Sequence, residues 1–141
     1  MFPKGFVNFQ NLPQSVIDLA NQQVAGRTLC VSFSGGRTSA FMCCILEANR
    51  DRFNFDIEYI FANTGMEREE TLIFVNNVDQ HILSGRLHWV EGWVDPQMGI
   101  GVQPKQCSFE TAKRPHEYGP MDALIEKFDI PGTDASMCTK E

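Results

Sequence analysis

Thr28-Leu29-Cys30-Val31-Ser32-Phe33-Ser34-Gly35-Gly36-Arg37-Thr38-Ser39 is the stretch on which the fold turns. Five of its first six residues, all but Ser32, are apolar or β-branched and predict a strand. The Ser-Gly-Gly turn at Ser34 ends that strand, because glycine favours a sharp change of direction over an extended run. Beyond the turn, Ala40, Phe41, Cys44, Ile45 and Ala48 recur at helical spacing. They predict a helix from about Thr38 to Arg50 with one apolar stripe. A strand that runs through a glycine turn into an amphipathic helix is the β-to-α junction of an open α/β sheet.

The same alternation extends on both sides. Val16, Ile17, Ala20 and Val24 place a helix over Pro13 to Ala25, stopped by Gly26. Ile57 to Ala62 reads as a second strand and Thr71 to Leu83 as a second covering helix. Its inward residues are Leu72, Val75 or Phe74, Val78 and Ile82. Leu87 to Val90 supplies a third strand, with Trp89 in the core. The expectation is an α/β fold with a Rossmann-like parallel sheet flanked by helices. Gly92 to Ser108, rich in Gly, Pro and Gln, predicts a long loop, and a helix over Met121 to Phe128 follows. Phe2 to Asn11 suits a strap across the domain.

The chain has 141 residues, enough for one domain with a workable core. Its formal net charge is -6, from 18 acidic and 12 basic residues without long runs, which disfavours general nucleic-acid binding. No stretch is apolar enough for a membrane span and no leader pattern opens the chain, so no membrane partner is expected. Five cysteines, two of them adjacent and none in a CxxC pair, fit a reduced, cytoplasmic setting better than a disulfide frame. The three scattered histidines predict no metal site. Homo-oligomerisation through an exposed apolar face stays open.

In Ser34-Gly35-Gly36-Arg37-Thr38-Ser39 the glycines let backbone N–H groups approach a ligand, three hydroxyls can donate, and Arg37 adds a cation. The helix that follows contributes its unpaired first-turn amides and positive dipole end. These are the components of a phosphate cradle, at the strand end where open sheets bind ligands. The competing structural reading makes Ser34, Thr38 or Ser39 a helix N-cap and the turn a mere connection. The GxxxxGK[ST] and GxGxxG spacings are both absent.

Asn63-Thr64-Gly65-Met66-Glu67 leaves the second strand on the same sheet edge. Asn63 and Thr64 are placed to contact a base or ribose, Gly65 to allow close approach, and Glu67 to hold a ribose hydroxyl or a metal. Thr64 and Glu67 equally form a [ST]-x-x-E capping box. In the last third Lys105, Lys113, Arg114 and His116 flank Cys107 and Ser108, either as an anion clamp or as a solvated basic face.

Phe33-Ser34-Gly35-Gly36-Arg37-Thr38-Ser39 resembles the PP-loop of the ATP-pyrophosphatase and phosphoadenosine-phosphosulfate (PAPS) reductase superfamily, in which Ser-Gly-Gly-x-Asp and a Ser or Thr follow the first strand. Thr38 stands where the wider superfamily has Asp, and the Arg-Thr-Ser form is similar to a PAPS-reductase-like branch of phages and prophages. Asn63-Thr64-Gly65-Met66-Glu67, with Glu70-Thr71 after it, is similar to that branch's Asn-Thr-Gly-x-Glu stretch. Cys138-Thr139-Lys140-Glu141 is similar to its Cys-Thr-x-Glu-Leu-Lys stretch.

The resemblance implies an adenine nucleotide alpha-hydrolase-like sheet of at least three parallel strands with helices on both faces. It implies ATP or PAPS as ligand, phosphates on Ser34, Gly35, Gly36, Arg37, Thr38 and Ser39, and the adenosine half bordered by Ser32, Asn63, Thr64, Gly65 and Glu67. Adenylyl transfer and sulfonucleotide reduction are the two reactions of such a site. A magnesium companion is less supported, since Thr38 replaces the carboxylate that would sit near the phosphates. The Glu-Cys-Gly tail that supplies the reductase nucleophile has no match here, so residues 1–141 correspond to a single domain without the usual C-terminal region. Cys138, beside Lys140, is either a reactive thiolate or an inert terminal thiol. A nucleotide-binding or subunit-type protein that has lost the chemistry is the alternative.

Overall fold

The structure, a computed structural model, describes residues 11–128. Helix α1 (Gln14–Val24) leads to strand β1 (Thr28–Ser32), helix α2 (Arg37–Ala48) and a 3-10 turn at Arg50–Arg52. Strand β2 (Asp56–Asn63), helix α3 (Glu69–His81) and strand β3 (Leu87–Val94) follow, then strand β4 (Val102–Gln106) and helix α4 (Pro120–Phe128). The sheet runs in the order β1-β2-β3-β4. The first three strands are parallel and the fourth is antiparallel to β3. The α/β reading, with a mostly parallel sheet flanked by helices, therefore holds.

Alternation in the strands decides where the core lies. Ile57, Tyr59 and Phe61 of β2 are buried, while Asp56, Glu58 and Ala62 on the other parity are exposed and Ile60 is half-buried. Val31 and Phe33 beside β2 on one side, and Leu87 and Trp89 on the other, share the buried parity. Ala40 and Cys43 of α2 and Leu72, Val75 and Val78 of α3 close the core over them. Both crossovers join neighbouring parallel strands and step the same way along the sheet, so crossovers of one hand carry α2 and α3 to the same face. The opposite parity carries exposed Cys30, Glu58, Ala62 and His88, and His88 Nε2 meets Glu58 Oε2 at 2.7 Å.

Within the core, Phe61 meets Trp89 edge to face at 5.1 Å between ring centroids, a favourable aromatic arrangement. Buried Asp79 of α3 accepts the Leu87 N–H at 3.0 Å and the Trp89 indole N–H at 3.2 Å, tying helix to strand. At the other end of α2, Glu47 Oε1 accepts from Arg50 and from the Tyr59 hydroxyl at 2.7 Å, while Oε2 pairs with Arg86.

Two expectations are corrected. The residues 92–108 are not one loop: β3 continues to Val94 and the chain returns as β4, with Pro104 opposite Gly92. Every β4 residue is exposed, so no hydrophobic alternation marks it, and a proline is tolerated because the strand lies at a sheet edge. In α2 the buried residues are Ala40, Cys43 and Cys44, whereas Phe41 is 38% exposed and Ala48 is exposed too. Phe41 to Leu46 is apolar all round, so periodicity left the helix phase loosely defined. In α3 the choice between Phe74 and Val75 falls to Val75. The expected strap lies almost wholly outside the described residues, as does the Cys138 motif.

Candidate functional site

The glycine loop occupies the carboxyl end of β1 and opens α2. Gly35 has φ +78°, a left-handed backbone that an L side chain adopts only with strain. A Cβ there would also lie 3.0 Å from Thr71 Cγ2 and 3.1 Å from Val75 Cγ2. The loop is thus pressed against the first turns of α3, and Gly35 serves both conformation and packing. Gly36 has an ordinary φ of -89° and is the N-cap of α2.

No side chain caps α2, and its first turn holds no acidic residue. The reading of Ser34, Thr38 or Ser39 as N-cap does not describe this helix. Ser34 Oγ and Ser39 Oγ instead lie 3.0 Å apart, and Ser39 Oγ donates to the Gly36 carbonyl at 2.9 Å. Ser34, Gly36, Arg37 and Thr38 are exposed. Arg37 forms no ion pair among the described residues. The result is a helix start with uncapped amides, exposed hydroxyls and an unneutralised guanidinium, the electrostatic conditions under which an anion is held.

The β2 loop is built differently. Asn63 is 3% exposed. Its Nδ2 donates to Glu91 Oε1 at 2.7 Å and to the Lys113 carbonyl at 3.0 Å, while Oδ1 accepts the Gly65 N–H at 3.3 Å. Both amide protons are therefore engaged inside the protein, and the side chain braces the loop. Gly65, at φ +80°, faces Pro120 and Lys113, where a Cβ would come within 3.1 Å of Pro120 Cδ. Thr64 Oγ1 accepts the Met66 N–H and donates to Glu67 Oε1, both at 3.2 Å. Helix α3 starts only at Glu69 and has Arg68 as N-cap, so Thr64 and Glu67 form a turn in front of the helix rather than a capping box. Thr64 is exposed and Glu67 half-buried. Ser32 lies at the end of β1 on the exposed parity, paired with Ile60.

The basic residues of the last third separate into two groups. Arg114 grips Glu69 through Nε at 3.1 Å and Nη2 at 3.3 Å, donates Nη1 to the carbonyls of Phe109 and Ala112, and lies over the Phe109 ring. The Arg114 hydrogen bonds hold the Glu69 carboxyl below its ordinary range. Arg114 is accordingly a clamp between the 109–114 segment and α3. Lys105 and Lys113 line a cavity at the end of β3 together with Glu91. Glu91 escaped the sequence reading, although Leu87, Trp89 and Glu91 alternate and place a carboxylate at core parity.

Three of the four described thiols are guarded, and Cys30 on β1 is exposed. Burial pushes Cys43 up to about 12 and Cys107 up to about 11, and Cys44 is raised for the same reason. Buried thiols of this kind are poor nucleophiles. Among the described residues no group of three or more His, Cys, Asp or Glu is placed to hold a metal, and no helix is long and apolar enough to cross a membrane.

An uncharacterized nin region protein, ORF290 of Escherichia phage lambda, is 31% identical to this chain over 120 residues, which is 77% of this chain and 37% of that protein. The chain thus spans well under half the length of this relative. No protein-family model matches the chain, and no solved structure matches it.

Proposed function

We propose that this chain binds an adenine nucleotide, ATP or PAPS, with its phosphates on Ser34, Gly35, Gly36, Arg37, Thr38 and Ser39. The observation that carries the reading is the uncapped start of α2 at the end of β1. Three first-turn amides and the helix dipole are left for an outside acceptor, at the sheet edge where parallel α/β folds take ligands. Of the second set, exposed Thr64 and half-buried Glu67 border the adenosine half, and Asn63 and Gly65 hold their loop in place. The finer fold is of the adenine nucleotide alpha-hydrolase type, and the chain is a PAPS-reductase-like PP-loop protein of the phage type, acting in the cytoplasm.

For the reaction, adenylyl transfer asks only that the loop stabilise a departing pyrophosphate while an acceptor attacks the α-phosphorus. Sulfonucleotide reduction asks for a thiolate at the sulfate end. The raised Cys43, Cys44 and Cys107 are poor sources of it, and of the described thiols Cys30 alone is exposed. Calorimetric titration with ATP, AMP and PAPS tests the binding. ATP or PAPS saturates the protein at one site, AMP binds more weakly for lack of the outer phosphates, and Gly36→Asp abolishes binding by placing a carboxylate where the phosphate sits. Equal binding by Gly36→Asp, or no binding by the parent chain, removes the reading. Saturable binding without turnover of either nucleotide would identify a protein that keeps the cradle without the chemistry.

A further inference from the structure

A cavity of about 500 Å³ lies between the end of β3, β4 and the start of α4. Its wall holds Glu91, Glu126, Lys105, Lys113 and Lys127; Glu126 accepts the Tyr118 hydroxyl and Lys127 donates to the Ile100 carbonyl, which leaves Glu91, Lys105 and Lys113 to be accounted for. Glu91 is only 9% exposed. Its Oε1 takes two hydrogen bonds, from Asn63 Nδ2 and from the Lys113 backbone N–H, and Oε2 takes none among the described residues. Every fully sealed side-chain polar atom among the described residues has a partner, so Oε2 is open, and the cavity is the space that Glu91 lines. Lys105 stands directly opposite Glu91 in the β3–β4 register and Lys113 lines the same cavity. Neither ammonium pairs with Glu91 or with any other described carboxylate. Trp93, 46% exposed, and Tyr118, 61% exposed, complete an aromatic wall beside Pro120.

A largely buried carboxylate whose Oε2 opens on the cavity is a ready acceptor for a charged donor, because pairing offsets the desolvation of a buried charge. A simple amine would satisfy Glu91 and face two ammonium groups that form no ion pair among the described residues. A simple anion would satisfy the lysines and face Glu91. The ligand that meets both needs carries an ammonium and a carboxylate close together, with an apolar part for the rings.

We propose that this cavity binds a free α-amino acid with an apolar or aromatic side chain, its ammonium on Glu91 Oε2, its carboxylate between Lys105 and Lys113, and its side chain against Trp93, Tyr118 and Pro120. The volume lies within the range of small-molecule sites and leaves room for bridging water. None of its groups belongs to the glycine loop, although Glu91, Lys113 and Pro120 support Asn63 and Gly65 of the β2 loop.

Titration of the purified chain with L-phenylalanine and L-leucine, followed by calorimetry and by acrylamide quenching of tryptophan emission, tests it. At least one of the two saturates one site and shields the exposed Trp93, whereas N-acetyl-L-phenylalanine and phenethylamine, each lacking one charge, bind at least about tenfold more weakly. Glu91→Gln lowers affinity at least about tenfold, and Lys105→Glu, on an exposed edge residue, does the same. Circular dichroism checks that both variants are folded; should Glu91→Gln unfold, Lys105→Glu and Trp93→Ala carry the decision. No saturation by about 10 mM of either amino acid, or equal binding of the acetylated compound, overturns the proposal. So does binding unaffected by Lys105→Glu and Trp93→Ala.

Discussion

Asn63 and Glu91 face each other in register on β2 and β3 and are joined by a buried hydrogen bond of 2.7 Å at the carboxyl edge of the sheet. The amide supplies two donors that a carboxylate and a carbonyl both need, and Lys113 is bound by the same pair. Replacing the amide by an acid therefore sets two carboxyl groups against each other. Asn63→Asp should lower stability by about 2 kcal/mol at neutral pH. Protonation of the introduced carboxyl relieves the repulsion, so the penalty is largest at neutral pH and shrinks on acidification. Denaturant unfolding at pH 5 and at pH 7.5 or so measures this, with the gap to the parent chain expected to be the smaller at the lower pH.

Gly36 offers an opposite pairing of effects. As N-cap with φ -89° and with Ser34 Oγ 3.6 Å from a built Cβ, the position has room for a side chain. Gly36→Asp should cap α2 and raise stability by a few tenths to about 1 kcal/mol, even as it removes nucleotide binding. Thermal unfolding together with calorimetry reads both signs. Gly35→Ala should destabilise by about 1–3 kcal/mol, from positive φ and the crowding by Thr71 and Val75.

Glu47 sets a pH dependence at the far end of the sheet. Burial pushes its carboxyl up, but hydrogen bonds from Arg50, Tyr59 and Arg86 together outweigh burial and hold it below the usual carboxylate range. Its contribution is complete above the unfolded-state pKa of about 4.3 and is lost as pH falls through the lowered folded value. Glu47→Gln should cost about 2 kcal/mol at neutral pH, less than a fully buried pair because both arginines are partly solvated. The difference from the parent chain should close towards about pH 3, as urea unfolding across the range would record.

Arg114 separates structural from ligand-binding cations. Its guanidinium is spent on Glu69, two carbonyls and the Phe109 ring. Arg114→Gln should lower the melting temperature by several degrees and leave nucleotide affinity unchanged. A loss of affinity with unchanged melting would return Arg114 to the anion clamp expected from sequence.

The amino-acid sequence by itself determined the succession of β1, α2, β2, α3 and β3, because each of these elements writes its own local pattern: an apolar run in Ile57 to Ala62, helical spacing in Leu72 to Val78. It also determined the glycine junction, since Gly35 and Gly36 act over a few residues of backbone. Tertiary structure alone decided what depends on partners distant in the chain. Strand β4 exists only because the exposed edge of β3 offers it hydrogen bonds, and nothing in Val102 to Gln106 alternates. Asn63 and Thr64 looked alike as polar residues leaving a strand. One is buried against Glu91, 28 residues later, and the other stays in solvent, because strand parity and the approach of the 113–120 segment separate them. The unpaired oxygen of Glu91 belongs to the same class of fact, set by which groups the fold brings within hydrogen-bonding distance.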